Sequence, residues 1–220
     1  LTADWNLDPN GITWSADGKT IYFFAETSGS VHLFSVAAAG GSVRPVTTGE
    51  RQLRGFSLSA DTRSLAYTSS DITHGTELYV TSIARGQERR LTSFNDSLFK
   101  QVTVIPADTF WFTGVGGLKI QGWLMKPSGY QPGKTYPLVL SIHGGPHSNY
   151  GNVLFPEFQM LASQGYWMLF TNPRGSSGYG HAFTFSTRGR WGMEDYQDLM
   201  QAVDAAIARA KGGVDTTRMA

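Results

Sequence analysis

Short apolar runs broken by turn residues fill the first hundred positions, and the pattern repeats. WSADGKTIYF at residues 14–23 aligns with LSADTRSLAY at 58–67, an offset of 44 residues. VHLFSV at 31–36 aligns with TELYVT at 76–81, and RPVTT at 44–48 with RRLTS at 89–93, both offset by 45. Each copy holds four β-branched or aromatic runs separated by polar turns, with Asp17-Gly18 as a hairpin signal. A four-stranded unit with a period of ~40–45 residues predicts β-propeller blades, which bury their faces only against neighbouring blades.

After about Thr109 the pattern changes. FWFTGV and KIQGWLMKP still read as strands, but apolar runs then alternate with helical periods. YPLVLSIHGG is a near-continuous apolar run of the kind buried on both faces of a sheet. Leu154, Phe155, Phe158, Leu161 and Ala162 follow at helical spacing, and Gly165 is placed to end that helix. YWMLFTNPRG predicts the next strand, stopped by Pro173. A second helix is expected from near Met193, with Glu194 and Asp195 in its first turn and an apolar stripe of Tyr196, Leu199, Met200, Val203 and Ile207. Arg209 and Lys211 suit its last turn, Gly212 its end, and Met219-Ala220 read as the start of another buried strand. The expected organisation is two propeller blades over 1–108, then an α/β domain over 109–220 that is incomplete.

Composition narrows the function classes. Eighteen Lys and Arg against 17 Asp and Glu leave a net charge of +1, which gives no electrostatic reason to expect nucleic acid or an anionic membrane as partner. The absence of cysteine removes disulfides and thiolate chemistry and fits a reducing, cytoplasmic setting. No apolar run approaches the ~18 residues of a membrane span, the start shows no secretory signal, and the missing initiator Met suggests a fragment.

The candidate chemistry sits in HGGPHSNYG, directly after the YPLVLS strand. A backbone N–H approaches a developing oxyanion only where no Cβ intervenes and φ is free, which is what glycine provides. Gly144 and Gly145 are therefore candidate oxyanion donors, of the kind supplied after the third strand of an α/β-hydrolase sheet. The competing reading is a tight turn with no chemistry. His143 and His147 stand four apart, but Gly-Gly-Pro between them forbids the helix that would align them on a metal; His32, His74 and His181 are isolated, so no metal and no cofactor is expected. His143, Pro146, His147 and Tyr150 are candidate pocket-lining residues. Arg174 could line the pocket too, although the Gly and Ser around it favour a bracing role.

HGGPHSNYG, NPRGSSGYG and WGMEDYQDL, in this order behind two blades, resemble the S9 prolyl oligopeptidase family of serine peptidases, acylaminoacyl-peptidase-like branch, along essentially the whole chain. The resemblance implies a size-filtering propeller, a catalytic α/β-hydrolase domain, short peptides as substrates, and acyl transfer by a Ser-His-Asp triad with Gly145 as one oxyanion donor. It also implies two kinds of partner: the remainder of the same polypeptide, and further copies in a homo-oligomer. No GxSxG nucleophile elbow occurs in the 220 residues; Gly175 and Ser177 fit its first places, but Tyr179 stands where the last glycine belongs. The triad is thus expected beyond Ala220, and the chain alone is expected to be inactive. Two alternatives remain: a TolB-type propeller binding module, which leaves the second half unused, and an esterase or lipase, which leaves the blades unexplained.

Overall fold

The computed structural model describes residues 1–145 and 147–220. It divides into two compact units. One comprises Leu1–Thr103 with Gly151–Leu154 and Gly178–Gly180; the other comprises Val104–Tyr150, Phe155–Ser177 and His181–Ala220. The division near 103 precedes the expected boundary after 108, because the strand that begins at Ala107 already pairs inside the second unit.

The first unit holds β1 (Asn10–Trp14), β2 (Thr20–Thr27), β3 (Ser30–Ala37), β4 (Arg44–Pro45), β5 (Gln52–Leu58), β6 (Ser64–Ser70), β7 (Glu77–Ser82), β8 (Glu88–Arg90) and a short α1 (Asp96–Phe99). β1 to β4 and β5 to β8 form two antiparallel four-stranded meanders, joined by one parallel contact between Val31 and Gln52. Strand alternation sends Ile21, Phe23 and Ala25 to one face, against Phe34, Val36 and Trp5. Tyr22 and Leu33 go to the other, where they pack on Leu53, Leu65 and Tyr67 of the second meander. Leu65 and Tyr67 are the repeat equivalents of Ile21 and Phe23, so the copies stack in the same sense, front on back.

The repeat extends to individual hydrogen bonds. Ser15 Oγ donates to Asp17 and Ser59 Oγ to Asp61, both at 2.6 Å; Asp17 accepts Lys19 N at 3.0 Å and Asp61 accepts Arg63 N at 3.1 Å. Leu33 N donates to Thr47 Oγ1 at 3.0 Å, and Leu78 N to Thr92 Oγ1 at 2.9 Å. Gly18 is left-handed at φ +67°, and its counterpart Thr62 holds the same region at +56° despite its Cβ. Thr62 Oγ1 also accepts Ala16 N at 2.9 Å, which ties the second turn to the first.

The second unit is a mixed sheet of β9 (Ala107–Thr113), β10 (Lys119–Met125), β11 (Tyr136–Ser141), β12 (Trp167–Asn172) and β13 (Val214–Met219), in the order β13-β11-β12-β10-β9. β9, β10 and β12 run antiparallel to their neighbours in that order, while β11 lies parallel to both β12 and β13. Helices are α2 (Pro156–Ser163), α3 (His181–Thr184) and α4 (Glu194–Arg209). β12 is buried along its whole length: Trp167 and Leu169 share a core with Ala202, Ala206 and Ala210 at α4, and Phe170 packs on Trp123, Tyr150 and Phe158 on the other face. The α2 helix ends where Gly165 takes φ +93°. No helix of the described residues is long and apolar enough to cross a membrane.

Three sequence expectations need correction. On α4 the buried positions are Asp195, Asp198, Leu199, Ala202 and Ala206, while Tyr196 is 57% and Met200 39% exposed. Leu199 of the expected stripe is buried and Val203 and Ile207 pack against the core, whereas the close approach that Ala202, Ala206 and Ala210 permit leaves Tyr196 and Met200 outside. On β11 only Leu138 is buried, so the run YPLVLS is not covered on both faces. The last strand begins at Val214 rather than Met219, and most of it is exposed.

Candidate active-site loops

Two loops leave the same end of the second unit's sheet, one after β11 and one after β12. Gly145 lies in the first, solvent-exposed, at φ +137°. A Cβ at this position would stand 2.7 Å from His147 N and 3.1 Å from Ser148 N, so only glycine is accommodated. Gly144 has open space where its Cβ would be, and its carbonyl accepts a hydrogen bond from the next ring along, His143 Nδ1, at 2.8 Å. Pro146 lies outside the described residues.

The first loop is fastened to the second by side chains that carry no obvious reactivity. His143 Nε2 lies 3.0 Å from Ser176 Oγ, and Ser176 Oγ lies 2.7 Å from the Pro173 carbonyl. Burial pushes His143 below the usual imidazole range against the opposing bond to Gly144, so the ring is neutral. With its proton on Nδ1, Nε2 accepts, and the single Ser176 hydroxyl proton is shared between His143 and Pro173. Ser176 is 1% exposed, which fits a brace rather than a nucleophile. His147 Nδ1 meets the Gly175 carbonyl at 3.1 Å, Ser177 N donates to Ser148 O at 3.0 Å, and Asn149 Nδ2 donates to Ser177 Oγ at 3.0 Å.

At the base, Tyr150 N donates to Asn172 Oδ1 at 2.7 Å and Asn172 Nδ2 returns a bond to Tyr150 O at 2.8 Å. The Tyr150 hydroxyl reaches Ser141 Oγ at 2.7 Å, and its ring is wedged among Phe155, Phe158 and Phe170. Burial raises its phenol above the usual range, so it stays protonated.

Arg174 turns to α4. Its Nε and Nη2 donate to Asp198 Oδ2 and Oδ1 at 2.7 and 3.0 Å, and Nη2 also donates to Val115 O at 2.6 Å. Asp198, fully buried, further accepts Val115 N at 3.0 Å and Arg174 N at 3.3 Å. The hydrogen bond to Asp198 raises the Arg174 guanidinium further above its already high range. One carboxylate thus joins the β9–β10 turn, the NPRG loop and α4. Of the candidate residues, His143, His147 and Tyr150 converge on the loop pair, and Arg174 braces it from behind. Ser141, Asn172, Ser176 and Asp198 were not singled out in the sequence; the signal available was a carboxylate at Asp198 spaced with the helix's buried positions.

A glycine-bearing loop at the carboxyl end of a parallel β11–β12 pair, locked by its neighbour, is the arrangement of hydrolases that stabilise an oxyanion with backbone N–H groups. Residues 153–220 match the prolyl oligopeptidase family. The peptidase YuxL of Bacillus subtilis, itself uncharacterized, is 39% identical over 197 residues, which are 89% of this chain and 30% of that protein. Dipeptidyl-peptidase 5 of Arthroderma otae is 28% identical over 207 residues, 91% of this chain and 28% of its own length. Among solved structures, the acylaminoacyl peptidase of Pyrococcus horikoshii superposes with a TM-score of 0.88 at 30% identity, covering 100% of this chain and 34% of that one. The dipeptidyl peptidase 4 of Porphyromonas gingivalis shares the fold, with a TM-score of 0.78 at 20% identity over 97% of this chain and 31% of its own. The chain therefore spans about a third of the length of these relatives.

Proposed function

We propose that this chain is part of a serine peptidase that cleaves short peptides, releasing an acylated residue or a dipeptide from the substrate's N-terminus. The two stacked meanders act as propeller blades that restrict access by size, and the second unit is the first part of an α/β-hydrolase catalytic domain. Gly145 carries the reading: its exposed, left-handed backbone, which no side chain could share, suits an N–H offered to a tetrahedral oxyanion. The nucleophile, base and orienting acid belong to residues outside these 220, in keeping with the absence of a GxSxG motif within them. A solved acylaminoacyl peptidase 30% identical to this chain holds Z-Gly-Gly-Phe-chloromethyl ketone, which supports a peptide-shaped substrate here. The cysteine-free composition supports a cytoplasmic setting.

In such a reaction the serine attacks the scissile carbonyl, and charge gathers on its oxygen. Gly145 N–H meets that charge without reorganising, because the adjoining loop already fixes its direction. The test is hydrolysis of acetyl-aminoacyl, dipeptidyl and simple ester chromogenic substrates by the full-length protein and its Gly145→Ala variant. Peptide substrates should be cut; alanine keeps the N–H but its Cβ cannot share the position with His147 N, so the donor is displaced and kcat should fall by up to about 10²-fold, approaching the loss of one oxyanion donor. Turnover by the 220-residue chain alone, a preference for esters without peptide cleavage, or an unaffected Gly145→Ala variant would overturn it.

A further inference from the structure

At the opposite end of the second unit's sheet from the two loops lies a cleft of about 440 Å³ lined by Asp108, Leu124, Lys126, Tyr130, Trp167, Arg209, Ala210 and Lys211. Trp167 begins β12 and Asn172 ends it, so the strand alone separates cleft from loops by roughly 16–20 Å. The floor is apolar and closely packed. Trp167 and Leu124 are 2% and 4% exposed, Trp167 Nε1 donates to Gly213 O at 2.9 Å, and Tyr130 packs edge-on to Trp167 at 5.4 Å. Gly213 leaves the room this needs, since a Cβ there would stand 3.0 Å from the Tyr130 ring.

The rim is charged and predominantly positive. Lys126, Arg209 and Lys211 come from two separate elements, and among the described residues none of them forms an ion pair. Arg209 lies over the Phe110 ring at 4.8 Å, a cation–π contact that serves part of its charge and supplies no anion. Favourable contact with the negative end of α4 explains a cation at Arg209 or Lys211, but it does not explain Lys126 on the far side of the cleft. Nor does it explain the backbone of Lys211. This residue holds φ +49°, just past the helix end, where glycine is the usual occupant, and glycine follows immediately at position 212. A lysine kept in a strained conformation beside a cavity, with unstrained glycine available one step away, marks a place where the side chain is needed.

We infer that this cleft binds a small carboxylate carrying an apolar group, with the carboxylate at Lys126, Arg209 and Lys211 and the apolar body on Trp167, Leu124 and Tyr130. An amino acid or an N-acylated amino acid has this chemistry, and in the free amino acid Asp108 faces the ammonium. The inference stands apart from the peptidase reading, although peptide cleavage releases such molecules. Calorimetric titration of the full-length protein with N-acetyl-phenylalanine, phenylalanine and neutral N-acetyl-phenylalanine amide tests it. The carboxylates should bind in the millimolar range or tighter and the amide more weakly; whichever carboxylate binds better identifies the source. Lys211→Gly should weaken binding about fivefold, and combined with Lys126→Met about twentyfold, in line with rim charge contacts. Lys211→Gly should also leave the melting temperature unchanged or raised, the opposite of losing a structural lysine. Gly145→Ala should bind unchanged, which separates this cleft from the loops. No carboxylate binding, equal binding of the amide, or unaltered affinity in both lysine variants overturns the inference.

Discussion

Asp198→Asn tests the brace behind the candidate loops. The carboxylate accepts four hydrogen bonds, from Arg174 Nε, Arg174 Nη2, Arg174 N and Val115 N, in a side chain with no exposure. An asparagine offers one acceptor oxygen. If that oxygen keeps Arg174 Nε and N, the amide NH₂ is turned against Val115 N–H and the Arg174 guanidinium, both donors. Arg174, at 13% exposure, then carries a charge with neither counter-charge nor full solvent. Removing one partner of such a pair costs about 3–5 kcal/mol, whereas an exposed pair costs about 0–1 kcal/mol.

The assay is urea unfolding of the full-length protein, followed by tryptophan emission, for wild type, Asp198→Asn, Arg174→Met and the double variant. A double-mutant cycle isolates the pair: the double variant should be less damaged than the sum of the singles by about 2 kcal/mol or more, because it leaves no orphaned charge. A cost below ~1 kcal/mol for Asp198→Asn, or strict additivity, would refute the reasoning by showing that the pair behaves as if solvated. If the proposed peptidase function holds, activity should fall together with stability, since Arg174 N anchors the loop that holds Ser176 and Ser177 against the first loop.

Other outcomes follow from the same geometry. Glu77 is buried, which works against its charge, but hydrogen bonds from Thr92, Asn95 and Phe94 outweigh that and hold it at about 2. Its folded pKa is below the unfolded value of 4.5, so its stabilisation is complete above that pH and lost as pH falls toward 2; Glu77→Gln should flatten the acid limb of a pH–stability curve and cost about 3–5 kcal/mol at neutral pH. His143, held neutral by burial, also has a depressed folded pKa, so the unfolded chain takes up its proton first and stability should decline as pH drops below about 6.5. Denaturation midpoints between pH 5 and 8 should show this slope in wild type and less of it in His143→Gln. Thr62→Ala keeps the left-handed strain and loses the bond to Ala16, so it should cost about 1 kcal/mol by thermal unfolding, while Thr62→Gly should come close to neutral.

Local demands were readable in the sequence and long-range ones were not. The 44-residue repeat was visible because SADGK and SADTR make the same turn with their own side chains. The glycine pair 144–145 is legible as a turn that needs glycine, but only the resemblance favours Gly145 over Gly144; the crowding by His147 and Ser148 that makes position 145 glycine-only belongs to the folded loop. Asp198 did not, because a carboxylate in an amphipathic helix reads as solvent-facing until its partner, 24 residues earlier, is known. The α4 stripe is legible only in part for a related reason: Leu199, Val203 and Ile207 face the core as their spacing predicts, but Ala202, Ala206 and Ala210 permit the close approach that sets the centre of the inner face and leaves Tyr196 and Met200 outside it. Repeat equivalence also hides a chemical exchange. Positions 32 and 77 match in register, yet one is a histidine beside Thr47 and the other a carboxylate gathering Thr92, Phe94 and Asn95, so the copies share a turn without sharing a linker.

The backbone around Gly145 is fastened largely from outside its own loop. Glycine supplies freedom at φ +137° but no preference for it, and an isolated loop with that freedom would sample many orientations. The restriction comes from the fastening of His143 to Ser176, His147 to Gly175, Ser148 to Ser177 and Tyr150 to Asn172, on both sides of the glycine. That second loop is in turn fixed by Arg174 on Asp198, and α4 by its alanines on β12. On the proposed reading, freedom at one residue and rigidity at its neighbours together suit a preorganised donor, because a donor that must reorient as charge develops forfeits much of the stabilisation it could give. The sensitivity of such a site should therefore extend along the chain of fastenings as far as the buried carboxylate of α4.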